Sequence, residues 1–332
     1  MPKDTTLIVI LNYKGWKETL TCVDAVLQQT YPLFHILLIE NGSGDESVKK
    51  LKHFGKHPKI TFVEHAKNLG FAGGVNVGIR KAIAEKYPYI TLLNNDAIVT
   101  KTWLEELIKA QKTTNASVVT GLLLSGDGKK IESTGDSCSI WSLPFPRQRD
   151  EPVDKAEKSG YVFGGTAGAS LYTTSLFEDI GLFDETFFAY FEDTDISYRT
   201  QLAGHKAYYE KEAVAYHDHG TTSSKMPGFT VYQSFKNLPL FFWKNTPLSM
   251  FLTTGARFYA VYCLMYVRAI LRGQFAVATK GVLRSISLFP HVLKERREIQ
   301  KRRRISISHL KSVLYPDLPP STQRHRRRIF HR

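Results

Sequence analysis

The chain has 332 residues, of which 42% are hydrophobic and 23% charged, and a formal net charge of +14. That size supports one large domain with an appendage, or two domains, and excludes a mini-protein that needs covalent or metal staples. Cys22, Cys138 and Cys263 are odd in number, widely separated and without a CxxC pair, which argues against a disulfide framework or a zinc site and for a reducing compartment.

The positive charge is concentrated at one end. Residues 1–247 hold 27 Lys and Arg against 28 Asp and Glu. Residues 248–293 add Arg257, Arg268, Arg272, Lys280 and Arg284 with no acid, and residues 294–332 carry 13 bases against Glu295, Glu298 and Asp317. A near-neutral body with a cationic end points to a tether for an anionic partner, either a membrane surface or nucleic acid.

The first apolar run, residues 7–11, is too short for a signal peptide or membrane anchor and reads as a core strand of a cytosolic domain. Further strands are expected at 35–40, 60–64, 89–93 and 117–124. Helical spacing is found at 17–29, 46–54, 74–86 and 102–112. This alternation predicts an α/β domain with a largely parallel sheet covered by helices. In such sheets ligands bind beyond the carboxyl ends of the strands. The loops there are NYKG, ENGSGDES, HAKNLGFAGG and NNDA, which can converge on one rim. There is no GxxxxGK[ST] and no GxGxxG opening a helix after the first strand, which argues against a P-loop nucleotidase and a common dehydrogenase.

Residues 125–160 form a polar excursion without a readable function. A Gly-Gly-containing strand follows from Tyr161, then GLFDETFFAYFEDTDISYR, a helix, and AVAYHDHGTTSSK, together a mixed second half of the same domain. Within it, Glu192, Asp193 and Asp195 sit against Phe187, Phe188, Tyr190 and Phe191. Carboxylates beside that much apolar surface are enriched at sites that move protons. The alternative is a helix start, where acids favour the first turn. Asp195 and Arg199, four apart, read as a helix-stabilising pair.

In 248–271, Arg257, Arg268 and Arg272 fall within an arc of roughly 60° at about 100° per residue. A cationic stripe on an apolar helix suits a helix lying in the membrane interface. A span would place Arg near mid-bilayer at roughly 2.5–3.5 kcal/mol per charge, which ranks it lower. The remaining reading is a helix packed on the body with its arginines outward.

Six ordered motifs, VILNYKG, LIENGSGDES, NLGFAGGVNVGIRKA, LLNNDAIV, GLFDETFFAYFEDTDISYR and the His217 segment, cover about residues 7–243. Together they resemble the inverting glycosyltransferases of family 2, in the rhamnosyltransferase-like branch. The resemblance implies a GT-A nucleotide-diphospho-sugar transferase fold: α/β, a mostly parallel mixed sheet flanked by helices, here with a helical basic C-terminal extension. The resemblance covers the catalytic domain (1–247); outside it, charge and helical pattern mark an amphipathic membrane-associating region (248–293) and a flexible basic tail (294–332).

The same resemblance assigns roles. Asp96 is a direct ligand of Mn²⁺ or Mg²⁺, with His217 joining it, an imidazole that favours Mn²⁺. Asn94 replaces the first acid of the family's DxD element, with Asn95 beside it. Asp193 is the base for the acceptor hydroxyl and Glu192 shapes the pocket. Glu40 stands where a pyrimidine-binding Asp is usual. Asn12, Tyr13, Asn68, Gly70, Gly73 and Asn76 line the nucleotide side, and Asp184 frames the acceptor. The implied partners are a nucleoside diphosphate sugar, of the dTDP-rhamnose or UDP-hexose type, and a lipid-linked or cell-surface polysaccharide acceptor, at the inner face of the cytoplasmic membrane. Alternatives are a polyprenyl-phosphate sugar transferase, which needs no strong base, and a non-catalytic protein binding an anionic surface or, less favoured, nucleic acid through residues 301–304 and 324–328.

Overall fold

The first strand, β1 (Thr6–Asn12), is apolar along almost its whole length because it lies at the centre of a sheet covered on both faces. Alternation then sends Ile8 and Ile10 to one face and Leu7 and Val9 to the other, into two separate cores. This computed structural model describes residues 4–217, 226–320 and 322.

Chain order continues with α1 (Trp16–Leu27), β2 (Phe34–Glu40), α2 (Ser47–Leu51), β3 (Ile60–Glu64), α3 (Gly70–Ala84), β4 (Tyr89–Asn94), β5 (Ala97–Val99), α4 (Trp103–Thr114) and β6 (Val118–Ser125). Then come β7 (Ile131–Ser133), β8 (Asp136–Cys138), β9 (Pro144–Pro146), β10 (Gly160–Val162), β11 (Ala169–Thr173), α5 (Thr174–Ile180), α6 (Glu192–Leu202) and β12 (Ala207–His217). The main sheet runs β10-β12-β6-β11-β4-β1-β2-β3, with β5 paired to β12 and β7 to β6. Strands β3, β2, β1 and β4 are mutually parallel, and β11 is antiparallel to both β4 and β6. The expected strands and helices of the first half are present, and the sheet is mixed as expected.

Helix α3 begins at Gly70, four residues before its apolar periodicity suggests. Its interior glycines are packing residues: a Cβ on Gly78 would lie 2.4 Å from Val9 Cγ2, and one on Gly74 2.5 Å from Leu11 Cδ1. The helix therefore rests directly on β1.

Two readings of the sequence are corrected here. Residues 125–160, a polar excursion by composition, contain three strands, and Ser133, Thr134, Asp136, Cys138 and Ser139 are buried. Composition also reads 294–332 as a flexible tail. The structure instead continues with α7 (Phe229–Asn245), α8 (Phe251–Leu271), α9 (Phe275–Ser287), α10 (Phe289–Lys301) and α11 (Ile307–Val313). Val292, Ile299, Leu310 and Leu314 share a core with Phe187, Tyr198 and Phe241. Tyr315 exchanges backbone hydrogen bonds with Cys138 and Ile140, so this segment docks on the excursion. Several of its cations are used internally. Arg296 donates to the carbonyls of Trp243 and Thr246 at the end of α7, where a positive charge complements the helix dipole, and Arg304 pairs with Asp179 at 2.6 Å. Residues 324–328 lie outside the described residues.

Helices α6 and α7 are joined by a buried ionic cluster. Lys244 Nζ lies 2.7 Å from Asp184 and 3.1 Å from Asp195. Arg199 bonds Asp195 through Nε at 2.9 Å and donates to the carbonyls of Ile180, Gly181 and Leu182. Asn245 donates to the other Asp195 oxygen, and His291 of α10 reaches Asp184. The sequence reading of Asp195 and Arg199 as a simple helix pair understates this.

Removing one partner from such a cluster leaves an uncompensated buried charge, so Lys244→Met is expected to lower the unfolding free energy by about 3–5 kcal/mol, read by urea denaturation. Burial pushes the Asp184 carboxyl up, but the charge and hydrogen bond of Lys244 outweigh it and hold it well below the ordinary 3.8. A depressed carboxylate stabilises the fold above its unfolded value and loses that contribution as pH falls through the folded one. The wild-type melting temperature should therefore drop as pH falls below about 4, and the Lys244→Met melting temperature should fall less over the same range.

Candidate active site

The carboxyl ends of β1 and β4, the excursion after β6 and the end of β12 open onto one cavity of about 720 Å³. Among the residues lining it are Tyr13, Asn41, Asn68, Gly70, Asn94, Asn95, Asp96, Glu132, Asp136, Arg149, Glu192, Asp193 and His217. Phe145, Phe188, Tyr190, Phe191 and Phe229 form an aromatic wall.

Pairing of β12 with β5 sets His217 opposite Ala97, beside Asp96. The imidazole bridges two carboxylates, with Nε2 2.9 Å from Asp96 Oδ1 and Nδ1 2.8 Å from Glu132 Oε2. Burial alone would push its pKa down, but the hydrogen bonds with Asp96 and Glu132 win and raise it to about 10. The Asn94 amide nitrogen lies 3.2 Å from the same Nε2. Glu132 also pairs with Arg149 at 3.3 Å. Asp96 and His217 thus bring an oxygen and a nitrogen together on the cavity wall, with the Glu132 carboxylate at the other imidazole nitrogen, as a carboxylate commonly orients a metal-ligating histidine. Among the described residues no three His, Cys, Asp or Glu side chains gather into a metal site by themselves.

The second group of acids stands at the start of α6. The helix begins at Glu192, and Asp193 Oδ1 accepts from the Thr194 N–H at 2.7 Å. The helix-start reading is therefore correct, and Glu192 and Asp193 line the cavity as well. Burial raises both carboxyls above their ordinary range. For Glu192 the neighbouring Asp193 charge adds to this, while hydrogen bonds from Thr194 hold Asp193 back.

What aims this turn is a strained loop. Phe188, Tyr190 and Phe191 all have positive φ, at 64°, 70° and 72°, a region unfavourable for aromatic residues. Asn237 of α7 fixes it by donating to the carbonyls of Phe187, Ala189 and Tyr190 at 2.9–3.0 Å. Lys236 donates to those of Thr186 and Phe187. Gly70, at φ +74°, is required opposite the loop, because a Cβ there would come within 2.5 Å of the Phe188 carbonyl oxygen.

Several residues expected at the site lie elsewhere. Glu40 does not line the cavity, because its carboxylate accepts the Gly42 and Ser43 N–H groups at 3.1 and 2.8 Å and closes the turn after β2. Asn12 is buried between Thr19 and Ser43. Asn76 bonds both the N–H and the carbonyl of Phe183. Gly73 faces Leu69 and Glu185, and Asp184 belongs to the ionic cluster with Lys244. These five are framework residues. Asn95 lines the cavity while donating to Gly15 and Thr19.

Among the cavity residues that escape sequence reasoning are Asn41, Glu132, Asp136 and Arg149. Asn41 ties the loops after β2 and β3 by bonding Asn68, Leu69 and Gly70. Glu132, Asp136 and Arg149 come from the excursion, where the run ESTGDSCS, two acids among small residues that a core can hold, is the one available signal.

The family model for glycosyl transferase family 2 matches residues 7–181. The chain is similar to the low-salt glycan biosynthesis hexosyltransferase Agl10 of Haloferax volcanii, with 26% identity over 60% of this chain and 62% of that protein. It is also similar to the glycosyltransferase GlyG of Streptococcus pneumoniae, with 33% identity over 34% of this chain and 37% of that one. The chain thus spans less than two thirds of the length of these curated relatives. Among solved structures it resembles a mannosyltransferase from Pyrobaculum calidifontis in complex with GDP-Man and Mn²⁺, with a TM-score of 0.54, 12% identity and 85% and 86% of the two chains covered. GalNAc-T7 with UDP, GalNAc and Mn²⁺ gives 0.57 at 17% identity, over 71% and 47%. The shared architecture is the GT-A fold.

Asn237→Ala leaves the Ala189 and Tyr190 carbonyls without their side-chain donor and should lower the unfolding free energy by about 1–3 kcal/mol, read by urea denaturation. The same variant should be cleaved faster than wild type at the 187–191 loop in limited proteolysis.

Proposed function

The chain belongs to glycosyl transferase family 2, and on that premise we propose that it transfers a sugar, with inversion, from a nucleoside diphosphate sugar to a hydroxyl acceptor. The observation that carries the reading is that one cavity holds both the Asp96 and His217 pair and the Asp193 and Glu192 pair. A donor of the dTDP-rhamnose or UDP-hexose type and a lipid-linked or cell-surface polysaccharide acceptor fit this reading.

Asp96 and His217 would hold Mn²⁺ or Mg²⁺, with Glu132 orienting the imidazole, and the donor diphosphate and water would complete the ligand set. The bound ion supplies charge neutralisation for the diphosphate as it leaves. At the other group, Asp193 accepts the acceptor hydroxyl proton as that oxygen forms its bond to the anomeric carbon. The bond from that carbon to the diphosphate oxygen breaks and its electron pair leaves with the diphosphate, so a single in-line displacement inverts the centre. Burial makes the Asp193 carboxylate more basic, which suits it to the task. Glu192 and the aromatic wall shape the acceptor side and exclude water.

Residues 1–247 carry this chemistry, and 248–293 would rest on a membrane surface. Helices α8 and α9 expose Leu252, Leu264, Val267, Leu271, Leu283 and Ile286, and between them lie the exposed Arg257, Arg268, Arg272, Lys280 and Arg284. An apolar face studded with cations suits the anionic headgroup region on the cytoplasmic side. No helix among the described residues is long and apolar enough to cross a membrane.

Asp193→Asn should lower kcat by about 100- to 10,000-fold while donor binding, measured by calorimetry, stays within a few-fold. Unchanged turnover would instead favour transfer to a polyprenyl phosphate, whose nucleophile is already an anion. Asp96→Ala, or chelation with EDTA, should abolish the Mn²⁺-dependent thermal shift produced by dTDP- or UDP-sugars. Wild type should co-sediment with phosphatidylglycerol-containing vesicles and not with purely zwitterionic ones, and the triple variant Leu264→Glu, Leu271→Glu, Ile286→Glu should remain in the supernatant.

A further inference from the structure

The cavity is rich in acids for a pocket that takes an anionic donor. Asp96, Glu132, Asp136, Glu192 and Asp193 line it, and among the described lining residues Arg149 is the one Lys or Arg. His217, the other basic group, has a carboxylate on each ring nitrogen. A diphosphate entering such a pocket is repelled unless cations offset the acids. A divalent ion at Asp96 and His217 covers part of that charge, and the Arg149 guanidinium is the remaining cation on the wall.

Arg149 stands in the loop after β9, on a turn that carries strain. Its neighbours Gln148 and Asp150 have φ of +54° and +67°, a region that residues other than glycine seldom occupy. Such strain persists only where surrounding bonds over-determine it, and it clusters at ligand sites. Here the bonds join the turn to β7 and its flanks. The Arg147 N–H donates to the Gly135 carbonyl at 2.9 Å, the Asp150 N–H to the Ile131 carbonyl at 2.9 Å, and the Ile131 N–H to the Glu151 carbonyl at 2.8 Å. The Gln148 side chain donates to the Lys155 carbonyl at 2.8 Å. The backbone is thereby fixed beside Glu132. The Arg149 side chain is 37% exposed and, among the described residues, makes a single hydrogen bond, from Nη2 to Glu132 Oε1 at 3.3 Å.

A partly exposed ion pair with one donor contributes little and exchanges readily for a better partner. The planar fork of a guanidinium matches phosphate oxygens two at a time. We propose that Arg149 is a donor-binding residue, its guanidinium leaving Glu132 to take oxygens of the diphosphate of the sugar nucleotide. Glu132 keeps its bond to His217 through the other oxygen, Oε2, so the exchange leaves the imidazole oriented. Charge on the diphosphate grows as its bond to the sugar breaks, and the contact strengthens with it. This rests on the reading of the chain as a nucleotide-sugar transferase.

The test is binding to the full-length protein with Mn²⁺, for wild type, Arg149→Met and Arg149→Lys. The probes are UDP, dTDP and GDP, followed by calorimetry, and their nucleosides, followed by ligand-observed NMR. Arg149→Met should weaken the diphosphate that wild type binds best by about 10- to 100-fold, as for losing a hydrogen-bonded charged contact, and leave its nucleoside within about twofold. Arg149→Lys keeps the charge without the fork and should fall between. Salt dependence of the diphosphate affinity should be shallower in Arg149→Met than in wild type. Unchanged diphosphate affinity in Arg149→Met would overturn the proposal, and a raised acceptor KM in that case would put the guanidinium on the acceptor instead. An equal loss for diphosphate and nucleoside would also overturn it, because that marks a distorted pocket. Wild type that binds none of the three diphosphates sinks the transferase reading itself, whereas wild type and Arg149→Met that bind one equally well sink this inference alone.

Discussion

Charge buried between α6 and α7 is the constraint on which the rest of the site depends. Lys244, Arg199, Asp184 and Asp195 are almost completely removed from solvent, and each is stable there only because the others are present. The directional bonds of this cluster leave α6 one rotation and one height against α7. Arg199 further ties the helix to the carbonyls that end α5, so the first turn of α6, with Glu192 and Asp193, is held from below. A hydrophobic contact of equal strength would not fix the helix rotation in the same way, because apolar packing is not directional.

The same helix α7 imposes the strain above that turn. The two positions Lys236 and Asn237, adjacent in sequence, reach the loop carbonyls, while Lys244 and Asn245, two turns later, reach Asp195. One helix thus holds both ends of the acidic segment. Three aromatic residues in the left-handed region are tolerable only with such bonding, and their rings gain a place on the cavity wall in return.

Chemistry at the site is divided between separate lengths of chain that fold onto one another. The amino-terminal half supplies Asp96 and the loops around Asn41 and Asn68, β12 supplies His217, and the excursion supplies Glu132 and Asp136. Glu132 pairs with His217, and Asp136 lines the same cavity, so the excursion adds two carboxyls to it. The C-terminal segment then braces the excursion through Tyr315.

Residues whose role is written in local pattern were legible from the sequence. The unbroken apolar run of β1, the helical spacing of α1 and α4, the NND turn and the acids of FEDTD need only nearest neighbours in sequence to be recognised, and the ordered motifs made the family readable. Asp96, His217, Glu192 and Asp193 do meet in one cavity. Asn12, Glu40, Asn76 and Asp184 sit at positions where the motif suggests ligand contact, yet they lie outside the cavity lining and their side chains bond turns or buried partners. Glu132 and Asn237 could not be read, since their partners lie 85 and 50 residues away. Which polar group meets which across such separations depends on strand register and helix rotation, and those are set by packing that only the assembled tertiary structure contains.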